Sequence, residues 1–317
     1  MRVLPLLFLL ATPMLAQHEH HAMHDMQMSP AKLEVNNDPV KHVLVVTLGP
    51  LDLPAHTDHR SMPQPAPQIL EIPFDGWITA YHPSLMDARG AQLPPGILHH
   101  VAFWNTARAD FLCPNKDEHI FGAGGEMNDW PALPGFGYRV RKGDRIRITT
   151  MFHNPTATSY ANARLSVAME YQPAEADAQL KSVYPAWFDV KQCGNSEFQL
   201  AAEGMKLDAT IPVHYSGRLL GVGGHLHDYG RQLLIRDATQ NQLIAELNST
   251  LDEQGHIRAM PIVTFADRGG FPLRQGDNVE VAATYDKPRI ANADGMGIVV
   301  GYFLPNSDAD MQPLARH

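Results

Sequence analysis

Apolar and polar residues alternate over short runs along this chain, and no run sustains the 3.6-residue spacing of a long amphipathic helix. Segments 43–48, 145–152, 164–171, 219–224, 232–236, 278–285 and 298–304 are bounded by Gly, Pro, Asn or Asp, which predicts short strands joined by turns. The 25 prolines fall mostly between these runs, as connections between short strands require. The pattern predicts an all-β protein built from antiparallel sandwiches.

An internal repeat divides the chain. Segment 141–155 aligns without gaps to 274–288, matching Arg141 with Arg274, Gly143 with Gly276, Asp144 with Asp277, Phe152 with Tyr285 and Pro155 with Pro288. Each copy is a Gly-Asp turn feeding an alternating strand that stops at proline, and each precedes a further strand. Two tandem, jelly-roll-like β-sandwich domains follow, over residues 31–176 and 185–317, with 177–184 as linker. In this register His99 and His100 fall opposite Gln232 and Leu233, near His225 and His227, so each domain is expected to carry a histidine pair on an equivalent early strand. Ala163 falls opposite Met296.

Arg2, the apolar run 3–10 and small residues ending at Ala16 have the form of a secretory signal peptide over residues 1–16, its apolar core too short to span a membrane. The expectation is an exported protein, periplasmic or secreted. Residues 17–30 then gather His18, His20, His21, His24, Met23, Met26 and Met28 in a stretch almost without core-forming residues, which reads as a disordered leader able to capture metal or simply to stay solvated. An excess of 34 Asp and Glu over 25 Lys and Arg argues against nucleic acid as a partner. Cys113 and Cys193 are the two cysteines; in an exported chain they either pair or stay as buried thiols.

The candidate chemistry lies in His99-His100, His153, His225-Leu226-His227 and Met296. Imidazoles suit copper, and a thioether beside two of them favours its reduced state, so the set reads as two copper sites of three ligands each. In a strand His225 and His227 project from one face, whereas His99 and His100 share a metal only if a twist or bulge re-aims one of them. Each motif also has an ordinary structural reading. The His-x-His is an exposed pair, Met296 is packing, His153 is a hydrogen-bonded turn residue, and one of His99 and His100 points into the core. His42, His56, His59, His82, His119, His214, His256 and His317 read as structural or surface residues.

The joint pattern resembles the copper type II, ascorbate-dependent monooxygenase family, on Leu98-His99-His100-Val101-Ala102-Phe103, on Phe152-His153-Asn154-Pro155 before a strand, on Gly224-His225-Leu226-His227 with Gly230-Arg231, and on Met296 opening a final strand. The resemblance implies two antiparallel β-sandwich domains facing across a solvent-filled cleft. It implies an electron-supplying copper held by His99, His100 and His153 and an oxygen-binding copper held by His225, His227 and Met296. It further implies hydroxylation of an organic C–H bond with O2 and a one-electron donor, typically ascorbate. A non-catalytic copper-handling protein of the same fold is the alternative; a zinc hydrolase is a weaker one, because methionine is a poor zinc ligand and no carboxylate stands beside a His cluster as an obvious base. Substrate and oligomeric state are not legible.

Overall fold

The computed structural model describes residues 30–126, 129–176 and 179–315. The expected signal peptide, the leader histidines and methionines, and the first two linker residues lie outside them. The first half contains strands β1 (Lys32–Asp38), β2 (Val43–Leu53), β3 (Gln68–Glu71), β4 (Gly76–Met86), β5 (Leu98–Ala109), β6 (Asp117–Gly124), β7 (Phe136–Val140), β8 (Arg145–Phe152), β9 (Tyr160–Pro173) and β10 (Lys181–Ser182). The second begins with β11 (Tyr184–Asp189), β12 (Phe198–Gln199), β13 (Met205–Pro212), β14 (Gly217–Leu226), β15 (Gly230–Asp237) and β16 (Gln242–Asn248). It continues with β17 (Thr250–Leu251), β18 (Ile257–Ala259), β19 (Val263–Thr264), β20 (Phe271–Leu273), β21 (Asn278–Tyr285), β22 (Asp294–Gly295) and β23 (Gly297–Pro305). No helix among the described residues is long and apolar enough to cross a membrane.

Among the described residues the strands form an all-β sandwich of antiparallel sheets, with one parallel pair, β7 with β10, and no closed barrel. Its physical basis is visible along β9, where Ala163, Leu165, Val167, Met169 and Tyr171 are buried and the residues between them face outward or sit at the margin. In the first half the sheet β1-β2-β9-β4-β7-β10 packs against β3-β8-β5-β6 around a core that includes Leu44, Leu70, Leu85, Phe103 and Phe152. In the second, β11-β23-β14-β19 packs against β13-β21-β15-β16 around Phe188, Leu219, Leu233, Val281 and Phe303. Phe111 and Leu112, from the β5–β6 connection, join the second core. Beside them Cys113 and Cys193 are joined by a disulfide with their Cα atoms 5.4 Å apart. The question left open by the cysteine count is thereby answered as a covalent staple between the halves.

The two halves repeat one wiring. β8 lies between β3 and β5, and β21, its sequence counterpart, lies between β13 and β15. β9 is flanked by β2 and β4 as β23 is by β11 and β14. This symmetry corrects one expectation: the histidine pairs do not occupy equivalent strands. His99 and His100 lie on β5, whose counterpart is β15, whereas His225 lies on β14, the counterpart of β4. Leu85 pairs with Leu165 and His225 with Ile298, positions related by the repeat, so His225 stands where the first half has a core leucine.

Nine of the ten residues of β14 are buried, Arg218 being the exception, because one face of the strand packs on its own sandwich and the other on the opposite half. The glycines make that second contact possible. A Cβ on Gly122 would come within 2.8 Å of the Trp187 ring, one on Gly124 within 2.7 Å of the His225 ring, and one on Gly223 within 2.6 Å of the Trp130 ring. Real side chains do not approach so closely, so these positions admit the facing half only as glycine.

Candidate metal centre

Strand β5 delivers His99 and His100 from the first half, and the pairing of β5 with β8 shifts register between Leu98 and His100, a local irregularity at the start of the histidine pair. His153 follows the end of β8, where its backbone N–H donates to Ile97 and the side chain of Asn154 is tied to Leu53 and Thr158. From the second half, β14 ends in His225 and Leu226, with His227 next in the chain. Met296 lies between β22 and β23.

These six residues gather where the halves meet. The His99 ring centroid is 5.3 Å from that of His100, 5.1 Å from His153 and 4.4 Å from His227. His225 and His227 are 5.3 Å apart, ring to ring, and nearly perpendicular. Two cavities open on the cluster. The larger, about 720 Å³, is bordered by His99, His153 and His227; the smaller, about 160 Å³, by His100, His225 and Met296. Each cavity therefore draws its histidines from both halves, whereas the sequence motifs group them half by half.

Four residues complete the arrangement. Asp294 places a carboxylate oxygen 2.9 Å from His227 Nδ1 and 3.5 Å from His99 Nε2. His59 stacks on His99 at 4.7 Å, and the nearest ligand atoms of His59, His99 and Asp294 all lie within 4.8 Å of one another. The surface or structural role expected for His59 is thus corrected: a stack on a buried imidazole draws its loop into the cluster. Glu126 accepts from His225 Nδ1 at 2.8 Å and from the Gly124 N–H at 3.1 Å. The buried Tyr285 hydroxyl accepts from the N–H groups of His227 (3.0 Å) and Met296 (3.1 Å) and donates to the Met296 carbonyl. One phenol therefore fixes both chain segments that carry His227 and Met296.

The electrostatics keep most of these imidazoles neutral. Burial pushes His99 down to about 3, with Asp294 opposing and His227 and His153 reinforcing. Burial also drives His100 well below the ordinary histidine value and lowers His153. His225 moves the other way: burial acts to lower it, but the charge and hydrogen bond of Glu126 outweigh that and raise it. For Asp294, burial works upward and is overcome by His227 and His99, which hold its carboxyl well below the usual range. A neutral imidazole has a lone pair to give. Nε2 of His225, Nε2 of His227 and Nδ1 of His100 are buried with no hydrogen-bond partner. Buried polar nitrogens left without a partner cost free energy, and a metal cation is the partner their chemistry suits. With Glu126 accepting from Nδ1, the Nε2 lone pair of His225 is the one presented, the arrangement a metal-bound histidine shows.

Three further histidines have partners of their own, and two of them border the cavities, His256 the larger and His119 the smaller. His82 pairs with Asp129 and Glu170 near the surface, and His256 with Asp228 at 2.7 Å. His119 is held between two indoles, 3.9 Å from Trp104 and 3.4 Å from Trp187.

No protein-family model matches the chain. A probable copper-dependent oxygenase, M1, of Phoma sp. is 26% identical over 227 residues, which cover 65% of this chain and 57% of that protein. A second, clz3 of Cochliobolus lunatus, is 26% identical over 228 residues, covering 65% of this chain and 72% of its own. Among solved structures, an Arthrobacter globiformis T6 enzyme complexed with panose aligns with 85% of this chain and 36% of its own at 9% identity and a TM-score of 0.20, a likeness that carries no argument. These distant relatives support a place for the chain in a copper oxygenase family.

Proposed function

We propose that the chain is an exported copper-dependent monooxygenase that hydroxylates a C–H bond of a small organic substrate with O2 and an external one-electron donor such as ascorbate. The observation that carries this reading is the meeting of His99, His100 and His153 with His225, His227 and Met296, several of their nitrogens buried without partners. The copper named in the description of the relatives is the metal these donors suit. In this reading two ions bind per chain, drawing on those six residues, with His59 and Asp294 as additional donors on the larger cavity.

Bound there, copper supplies one-electron redox chemistry and an open position for a small ligand. The protein's own part is positional. Glu126 orients His225, Tyr285 locks the backbone of His227 and Met296 together, and Asp294 sets a negative charge between imidazoles of the two halves. Burial of the rings excludes water from their unpartnered nitrogens.

The test is to supply the copper-loaded protein with ascorbate, O2 and candidate substrates and to measure hydroxylated product against oxygen consumed. Met296→Ala, on the smaller cavity with His100 and His225, is expected to lower turnover about 10- to 100-fold while copper at His99, His153 and His227 on the larger cavity is retained. Equal loss of all copper would count against distinct sites. The His- and Met-rich leader favours a second reading, copper handling without turnover; oxygen use driven by ascorbate with no product would put that reading ahead.

A further inference from the structure

The smaller cavity holds a feature that metal binding does not use. The imidazole of His119 is clamped between Trp104, at 3.9 Å and 20°, and Trp187, at 3.4 Å and 7°, and all three rings border the space that also touches His225 and Met296. Trp104 comes from the first half and Trp187 from the second, so the clamp closes only when the halves are docked. Trp187 is fixed by its own N–H, which donates to the His119 carbonyl. His119 Nε2 is buried with no hydrogen-bond partner, and burial drives this imidazole well below the ordinary histidine value, so it is neutral.

Much of the remaining wall is aliphatic, from Val101, Ala102, Ala123, Ile298 and Val300, with His100, Thr149, Gln192 and Ser196 also bordering the space. The charged residues at the margin are already engaged. Lys116 donates to the Gly194 carbonyl at 2.7 Å, Asp110 accepts from the N–H groups of Leu112 and Cys113, and Asp189 accepts from Ser196 and from the Lys191 N–H. Among the described residues no guanidinium borders the cavity. A charged ligand would be stripped of water along the indole and aliphatic walls, which is costly, and the charges at the margin are already held by hydrogen bonds of their own. A flat apolar ligand loses nothing on the indole and aliphatic walls, and one neutral polar group on it can satisfy His119.

We propose that this cavity is a binding chamber for a small, uncharged, largely hydrocarbon molecule carrying one hydrogen-bonding group, such as an aryl alcohol, with His119 as the residue that engages that group. Calling this molecule the substrate rests on the monooxygenase reading, because His225 and Met296 form one wall of the chamber; binding itself does not.

The test uses the metal-free full-length chain and follows tryptophan fluorescence, since two of the four tryptophans border the cavity. The probes are 2-phenylethanol, ethylbenzene, phenylacetate and 2-phenylethylammonium. The alcohol is expected to bind about ten-fold more tightly than either ion and several-fold more tightly than the hydrocarbon. His119→Phe is expected to remove the advantage of the alcohol over ethylbenzene, and Ala102→Leu, which fills the cavity, to weaken all binding about ten-fold with the melting temperature as a check on folding. Tighter binding of either ion, or an alcohol advantage that survives His119→Phe, overturns the proposal. If the neutral probes bind as expected yet never become hydroxylated in the copper-loaded protein, the chamber stands and the oxygenase reading falls.

Discussion

Glu126 and Tyr285 hydrogen-bond to His225, to the N–H groups of Gly124, His227 and Met296 and to the Met296 carbonyl, and so set how the candidate donors are presented. Glu126 selects which His225 nitrogen is free, and Tyr285 ties together two segments 69 residues apart in the sequence. Nearby, Glu118 illustrates a different use of burial. Its carboxylate is fully buried, 2.9 Å from Arg108 Nε and 2.5 Å from the Tyr138 hydroxyl, while Arg108 lies over the Tyr184 ring of the second half. Burial pushes Glu118 up to about 7, with Arg108 restraining the rise. A carboxyl whose folded value exceeds its unfolded value of 4.5 favours folding most below that lower value and loses the advantage as pH rises through 7. Glu118→Gln should therefore gain on the wild type by roughly 3 kcal/mol between pH 4.5 and 8, read from denaturant unfolding of the metal-free proteins at each pH. A gain of the opposite sign would mean that Arg108 stabilises the carboxylate more than burial opposes it.

At the scale of elements, β6 and β14 matter most, because their glycines let the halves meet. Gly124→Ala would set a methyl against the His225 ring and the His99 carbonyl, at 2.7 and 2.8 Å before relaxation. The expected outcome is a loss of about 1–3 kcal/mol by thermal or denaturant unfolding, together with weaker copper retention at His225. Unchanged stability and copper content would show that the glycine contact is not needed. The strand alternation and the repeat made the sandwich and the equivalence of β8 with β21 legible from sequence, since period-two burial is a local signal. The candidate donors His99, His100, His153, His225, His227 and Met296 stood out as motifs, and the structure brings them to the meeting of the halves. Three other features were not. Nothing local marks Glu126, 99 residues from His225, as its partner. Asp294 and His59 lie in turn-like stretches, where a polar residue calls for no explanation. The double burial of β14 erases its alternation, so the run around Gly221 and Gly223 could not show which face carries the histidines.

At the scale of the molecule, two similar sandwiches are held face to face by the Cys113–Cys193 disulfide, by Phe111 and Leu112 inserted into the second core, and by the histidine cluster itself. A metal bound by residues of both halves would add to that attachment, so metal binding and docking are coupled in this architecture. The central claim is that the clustered histidines, and not the leader, hold copper. Its most direct test is the copper content of the purified full-length chain after copper loading and removal of weakly bound metal, compared with a variant carrying His99→Ala, His153→Ala, His225→Ala and His227→Ala and an intact leader. The account expects two coppers per chain in the wild type and a near-complete loss in the variant whose folding is verified by circular dichroism; equal copper in the two folded proteins would contradict it.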